Sequence, residues 1–520
     1  MARLVAWARS EWRTVLLVTI GASLQLFLVT RPVEFLITNV LPDDAFYYFE
    51  IARNIAAGLG STFDSVTPTN GYHPLWLVIL VPIFAYFSVD GVADVAPIHA
   101  ALVFSVAINA VTALLVARIL ARFTENAYIR ALGLVIWILN PFILYETING
   151  LETSLSLFLF ALFFLLALRV EERKSSNYLI LGGVAGLMIL ARLDLAIYFA
   201  AFLAWVLLRC GWRDGFRRVL IAGVVATFVV SPWVAWNIAK FGTPLTSSSV
   251  AATVINHQLI VQDHGESWFQ TAKAVIYHTQ YELDKLFERT GMYAIACGVF
   301  GAALALALLG FLKLPSRVAL LTVTQSLFVG FMALFFANAG IRWTARTWYF
   351  VSFNLFLAIL SVYVVDVLFA RVSHEGWKRG GVVALALIVA FSFGVDWSKN
   401  QRRGSQPQHR QMYEATLWMN EHLPAGTTVG VWNAGIQGYF SQHMVVNLDG
   451  TVNNAALSAI RERKLWSYVK DSGIDYLSDF PLYIRYRYKS FLDADDVWSN
   501  LELVRRMDES PESLSIWRVK

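Results

Sequence analysis

Charge is what this sequence lacks. Lys, Arg, Asp and Glu make up 15% of its 520 residues, while 57% are hydrophobic. Soluble domains carry about a quarter charged residues. The deficit therefore excludes an ordinary water-facing surface and points to lipid as solvent. Cysteine is nearly absent too: Cys210 and Cys297 lie far apart with no Cys/His cluster around them, which excludes a disulfide framework and a structural zinc site. A net charge of +5 suits a positively biased membrane face better than a nucleic-acid binder. Internal repeats and low-complexity tracts are missing as well.

What is present is a succession of apolar windows. They fall near 14–30, 97–117, 131–147, 153–169, 178–193, 195–209, 219–236, 292–311, 318–337, 348–370 and 380–396, about eleven candidate spans at about 20 residues per bilayer crossing. Arg3, Arg9 and Arg13 precede the first. Thr30-Arg31-Pro32 follows it where a signal peptide would end on small residues, so it reads as an uncleaved anchor. Basic clusters at Arg118/Arg122/Arg130, Arg169/Arg173/Lys174, Arg209/Arg213/Arg217/Arg218, Lys313/Arg317 and Arg371/Lys378/Arg379 mark alternate connections. The positive-inside rule makes these loops and the N-terminus cytoplasmic. Segments 31–96, 148–152, 237–291, 338–347 and 397–520 then face outward. Pro74–Phe87 is apolar, short and interrupted by Pro82. Counting it as a span would put every later basic loop outside, so it reads as a juxtamembrane or re-entrant helix.

The expected architecture is a multi-pass α-helical membrane domain over 1–396 and a small extracytoplasmic α/β domain over 397–520. In the latter, β-rich runs Thr428–Trp432 and Met444–Leu448 alternate with helical patterns Tyr413–His422 and Ala455–Ser467. Gln401–Arg410 reads as the linker.

Candidate chemistry clusters on the outer face. Asp43 and Asp44 open a helix that ends at Gly58 and Gly60. One aspartate suffices as an N-terminal acid, whereas two at the edge of lipid are costly unless exposed or paired. As chemistry, a carboxylate takes the proton of an attacking hydroxyl, and a second orients it or binds a metal. Glu152 is either a turn acid or a third carboxylate. Arg192 and Asp194 are either a structural ion pair or, through the arginine, a phosphate ligand. Arg342 and Arg346 stand on an outer loop with Trp343, Trp348 and Tyr349. The rings suit an interfacial belt, and the guanidinium forks suit a lipid phosphate. Tyr72, His73 and Trp76 close the first loop, as packed residues or as sugar and phosphate contacts. Trp432, Asn433, Gly435 and Tyr439 read more simply as a turn and core than as a carbohydrate platform.

DDAFYYFEIARNIAAGLG and TNGYHPLW in the first outer loop, with NGLETSL at 149–155, LARLD at 190–194, SPWVAWNIAKFGTPLTSS at 231–248 and GVWNAGIQGYFSQHMVVNLDG at 430–450, resemble the GT-C glycosyltransferases. The likeness covers nearly the whole chain and is greatest to the bacterial branch of arabinofuranosyltransferases and mannosyltransferase-like proteins. The resemblance implies an inverting transfer from a polyprenyl-phosphate sugar to a hydroxyl on a glycan, glycolipid or protein, at the outer face of the cytoplasmic membrane. It implies Asp43 as base, Asp44 as partner or metal ligand, and Glu152 as a further acid with Asp194 beside it. Arg346, with Arg342 and Arg192, would bind the donor phosphate, and Tyr72 and His73 would support substrate. The resemblance fixes no cofactor. A divalent cation (Mg2+, Mn2+ or Ca2+) at Asp44 and Glu152 stays open. A lipid-linked-sugar transporter is the alternative, but it predicts inverted repeats and charges near the midplane, whereas these charges gather at the rim. Oligosaccharyltransferase activity would need a WWDYG-type signature, which the outer domain lacks.

Overall fold

The computed structural model describes residues 11–87, 94–169, 175–265, 267–290, 292–308, 318–342 and 346–520. Arg3, Arg9, Arg173, Lys174, Lys313, Arg317 and Trp343 lie outside the described residues.

Six helices among the described residues are long and apolar enough to cross a membrane: Trp12–Val29, Ala96–Leu120, Leu193–Cys210, Trp212–Phe241, Thr322–Ile341 and Glu375–Arg402. Their surfaces suit lipid. Only 11% of the most apolar stretch of Trp212–Phe241 is buried, and Leu208, Phe228 and Phe391 are largely exposed on such helices. In water that display would be prohibitive. Six shorter apolar helices, among them Thr153–Ala167 and Phe353–Phe369, pack between them.

The loop between the first two crossing helices decides the topology. It runs from helix α1 (Trp12–Val29) through α2 (Val33–Asn39), α3 (Asp43–Ala56) and α4 (Pro74–Phe87) into α5 (Ala96–Leu120). At one end, the His99 ring nitrogen Nδ1 meets the Val29 carbonyl at 2.7 Å. Further along, Asn109 reaches Gln25 at 3.3 Å, and at the other end Glu11, Arg13 and Thr14 share a cavity wall with Ala117 and Arg118. Helices α1 and α5 are therefore antiparallel, and the intervening loop leaves and re-enters on one side. Helix α4 makes no net crossing. Its 14 residues reach about 21 Å at 1.5 Å per residue, short of the ~30 Å core. Trp76, Leu77, Leu80 and Phe84 bury its inner face.

Beyond the membrane helices stands a five-stranded sheet in the order β2-β1-β3-β5-β4, with β1 Thr428–Val431, β2 Met444–Asn447, β3 Tyr476–Asp479, β4 Leu501–Arg506 and β5 Ser515–Val519. β1 pairs in parallel with β2 and β3, and β5 pairs antiparallel with β3 and β4. Helices Ala434–Phe440, Asn454–Glu462 and Leu465–Asp471 supply the parallel crossovers. The last long helix continues to Arg403 and breaks at Gly404, whose φ is 68°, so much of the QRRGSQPQHR stretch is helical.

Candidate active site

Successive residues on an α-helix point about 100° apart, and this separates the aspartate pair. Asp43 is 7% exposed. Its Oδ2 accepts the Gly435 amide at 3.1 Å and its Oδ1 the Ile436 amide at 2.7 Å. Both are unpaired donors at the start of the helix Ala434–Phe440. Tyr47 Oη accepts the Ala434 amide at 3.2 Å, and Asp479 Oδ2 accepts those of Trp432 and Asn433 at 3.0 and 2.8 Å. The first loop thus completes a helix terminus of the outer domain. Burial raises the Asp43 pKa from 3.8 to about 7, against the two backbone donors, and Asp479 is likewise pushed to about 7 by burial.

Asp44 faces elsewhere. It is half-buried, and among the described residues its carboxylate has no hydrogen-bond or ion-pair partner. Its charge acts on Tyr349, on Asp449 of the outer domain and on His409. Arg346 bears on Tyr349 and His409 as well as on Tyr483. Arg346 is exposed, holds no carboxylate among the described residues, and lies 5.9 Å from the Trp348 ring. Asp44 and Arg346 thus both lie within electrostatic range of Tyr349 and His409, with Asp44 also acting on Asp449 and Arg346 on Tyr483. Burial, with the Asp44 charge adding to it, lifts Asp449 to about 6, while the Thr451 amide at 2.7 Å opposes the rise.

A buried polar chain reaches the same Tyr349 ring. Arg192, 3% exposed, grips Asp194 with two bonds of 2.8 and 3.0 Å, reaches Glu152 at 3.4 Å, and lies 4.1 Å from the Tyr349 ring. Glu152 accepts the Tyr48 hydroxyl at 2.9 Å, and that hydroxyl accepts the His73 amide at 2.9 Å. His73 Nδ1 accepts the Leu193 amide at 3.4 Å, which leaves Nε2 as the protonated nitrogen, 3.8 Å from Glu152. Burial holds the His73 pKa below 6.5. Asn338 ties Asp194 to Arg342 at 3.2 and 3.3 Å, and Arg342 is further held by the Ser249 carbonyl at 3.1 Å. Tyr72 bonds Ser61 at 2.7 Å and packs on Trp233 at 5.4 Å. Trp76 donates to the Gly150 carbonyl at 2.9 Å and is fully buried, so it is core and not part of an interfacial belt.

The expected residues divide accordingly. Asp44 and Arg346 keep exposed surface and hold no hydrogen-bond or ion-pair partner among the described residues, whereas Asp43, Glu152, Arg192, Asp194, His73, Arg342 and Tyr72 are held by protein partners. Arg192 touches Tyr349, the ring on which Asp44 and Arg346 also act. A cation between Asp44 and Glu152 fits poorly, because both Glu152 oxygens already hold donors. Among the described residues no three His, Cys, Asp or Glu stand together as metal ligands. Sequence reasoning missed Tyr48, Asn338, Asp449 and Tyr483. Only Asp449 carried a signal, as the acid of a turn that follows a strand.

Residues 81–236 match the family model described as dolichyl-phosphate-mannose-protein mannosyltransferase, and residues 399–515 match a domain of unknown function (DUF8728). Similar solved structures include the oligosaccharyltransferase of Archaeoglobus fulgidus, 14% identical at a TM-score of 0.59, covering 93% of this chain and 71% of that one. Another is ArnT from Cupriavidus metallidurans, 12% identical at a TM-score of 0.61, covering 98% of each. The mycobacterial arabinofuranosyltransferase AftD, 14% identical, aligns at a TM-score of only 0.40 over 96% of this chain and 40% of that one, too weak a likeness to argue from. No curated protein sequence matches. Residues 81–236 thus match a mannosyltransferase family, the chain shares its fold with the oligosaccharyltransferase and ArnT structures, and its long apolar helices make it an integral membrane protein.

Proposed function

We propose that the protein transfers a sugar, with inversion, from a polyprenyl-phosphate carrier to a hydroxyl acceptor at the outer membrane face. The observation that carries this reading is that Asp44 and Arg346, neither with a hydrogen-bond or ion-pair partner among the described residues, both act on Tyr349. Asp44 takes the acceptor proton as the acceptor oxygen bonds to the anomeric carbon. The bond from that carbon to the phosphate oxygen breaks, and its electron pair leaves on the phosphate. Arg346 stabilises the departing anion with its planar fork. A phosphate leaves readily, so no general acid is needed. The resemblance makes Asp43 the base. Its two engaged oxygens favour Asp44 in that role, with Asp43 holding the helix that presents it.

The test uses purified full-length protein with polyprenyl-phosphate mannose and polyprenyl-phosphate arabinose as donors. Asp44→Asn should lower transfer by ~10²–10⁴-fold with unchanged melting. Asp43→Asn, which can still accept a helix amide, should lose less. Full activity in Asp44→Asn would overturn the assignment.

A further inference from the structure

The end of α1 opposite the Asp43 loop holds a separate cavity of about 290 Å3. Its wall combines the start of α1, the end of α5 and the start of the helix Ala127–Ile138. α1 has 18 residues, about 27 Å at 1.5 Å per residue. Nearly the whole ~30 Å hydrocarbon core therefore lies between this cavity and the Asp43 loop. The transfer chemistry proposed above uses none of its residues.

Its charged lining is Arg13, Arg118 and Arg130 with a single acid, Glu11. Glu11 accepts the Thr14 hydroxyl at 3.2 Å, and none of the three guanidiniums pairs with a carboxylate among the described residues. Arg13 rests 4.8 Å from the Tyr128 ring, which also holds Arg379 at 5.2 Å. Arg130 donates to the Glu125 carbonyl at 2.9 Å. Arg118 is exposed and has no hydrogen-bond or ion-pair partner among the described residues. A cleft lined by one sign of charge collects the opposite ion, so this wall calls for an anion and repels a metal. Along both helices charge then gives way to carbon. α5 ends at the cavity and the helix Ala127–Ile138 starts there, so Leu114 and Leu134 each lie one turn, about 6 Å, deeper in the membrane than Arg118 and Arg130. Both leucines line the cavity. A free phosphate has no use for that apolar floor, and no aromatic ring lines the cavity to stack on a nucleotide base. A phospholipid headgroup with its glycerol and first methylenes meets both parts. Guanidinium forks bind phosphate bidentately, and basic pockets between membrane helices take anionic headgroups.

We infer that this cavity binds the headgroup of a bilayer phospholipid of net negative charge, in the leaflet opposite the Asp43 loop. The phosphate sits among Arg13, Arg118 and Arg130, and the acyl chains descend past Leu114 and Leu134. The inference stands independently of the transferase reading above.

Two measurements on the purified full-length protein test it. In the first, phosphatidylglycerol or phosphatidylcholine is titrated in detergent and the bound lipid is counted by native mass spectrometry. Phosphatidylglycerol should occupy one site ahead of phosphatidylcholine, and inorganic phosphate should fail to displace it. Arg118→Gln and Arg130→Gln should each weaken that binding about fivefold, and together about 25-fold. Arg213→Gln, which alters an exposed arginine outside the cavity, should leave it unchanged. An equal loss with Arg213→Gln marks a diffuse positive surface and overturns the inference. Equal binding of phosphatidylcholine, or displacement by inorganic phosphate, overturns it too. In the second, phosphatidylglycerol carrying a diazirine on its headgroup is crosslinked to the unaltered protein, which needs no variant to fold. Adducts are expected on the peptides holding residues 11–14, 114–121 and 127–134; adducts confined elsewhere sink the proposal.

Discussion

Two adjacent carboxylates here meet opposite fates, and a single peptide unit of helix separates them. Asp43 is turned to the C-terminal domain and ends on two backbone amides; Asp44 keeps exposed surface and acts, like Arg346, on Tyr349. A pH dependence follows from the first. Asp43 and Asp479 both titrate near 7 in the folded protein and near 3.8 when unfolded. Between those values the native state keeps protons that the unfolded chain has given up. Stability is therefore greatest below about 4 and falls as pH rises towards 7. Melting of the full-length protein between pH 5 and 8 should show this decline. Asp43→Asn should make it shallower, Asp479 supplying the remainder, and a rise in stability across pH 5–7 would contradict the assignment. Glu152 and Arg192 teach the companion point. In sequence they were open candidates for chemistry, but mutual pairing and burial occupy them, because a buried charge without a partner is too costly to keep.

At the scale of elements, the site depends on how closely α3 approaches the helix Ala434–Phe440. A Cβ on Gly435 would overlap the backbone carbonyl of Asp43, and one on Gly438 would overlap the Phe63 ring. A ring can tilt; a carbonyl already fixed within a helix cannot. Gly435→Ala should therefore undock the outer domain, with about 1–3 kcal/mol lost. Hydrogen exchange should rise in residues 43–56 and 434–440, whereas unchanged protection would show that the contact is dispensable. Helix α3 itself was legible: an acidic opening, apolar spacing at helical period and a glycine stop at Gly58, whose φ is +80°. The docking was not. Gly435 carries no local mark of the residue it meets, 392 positions earlier in the chain.

Over the whole molecule, the antiparallel pairing of α1 with α5 keeps the first loop on one side, the side on which Asp43 docks against the helix Ala434–Phe440. The basic loops then predict the orientation. With Cys210 and Cys297 replaced by Ser, Glu509→Cys should react with an impermeant maleimide on intact cells, and Arg213→Cys only after permeabilisation. The reverse pattern would invert the topology and remove the site from the outer face.

Composition and charge alone determined the membrane class, the alternation of loops and the demotion of Pro74–Phe87, because hydropathy and basic residues act locally and every window carries its own signal. They also singled out the rim carboxylates and arginines as a set. Which of those groups is free and which is spent was decided only by the tertiary structure. The answer rests on partners from α3, the turn at Arg192 and a domain some four hundred residues on, and on the cost of burying charge, which cannot be known until the neighbours are in place.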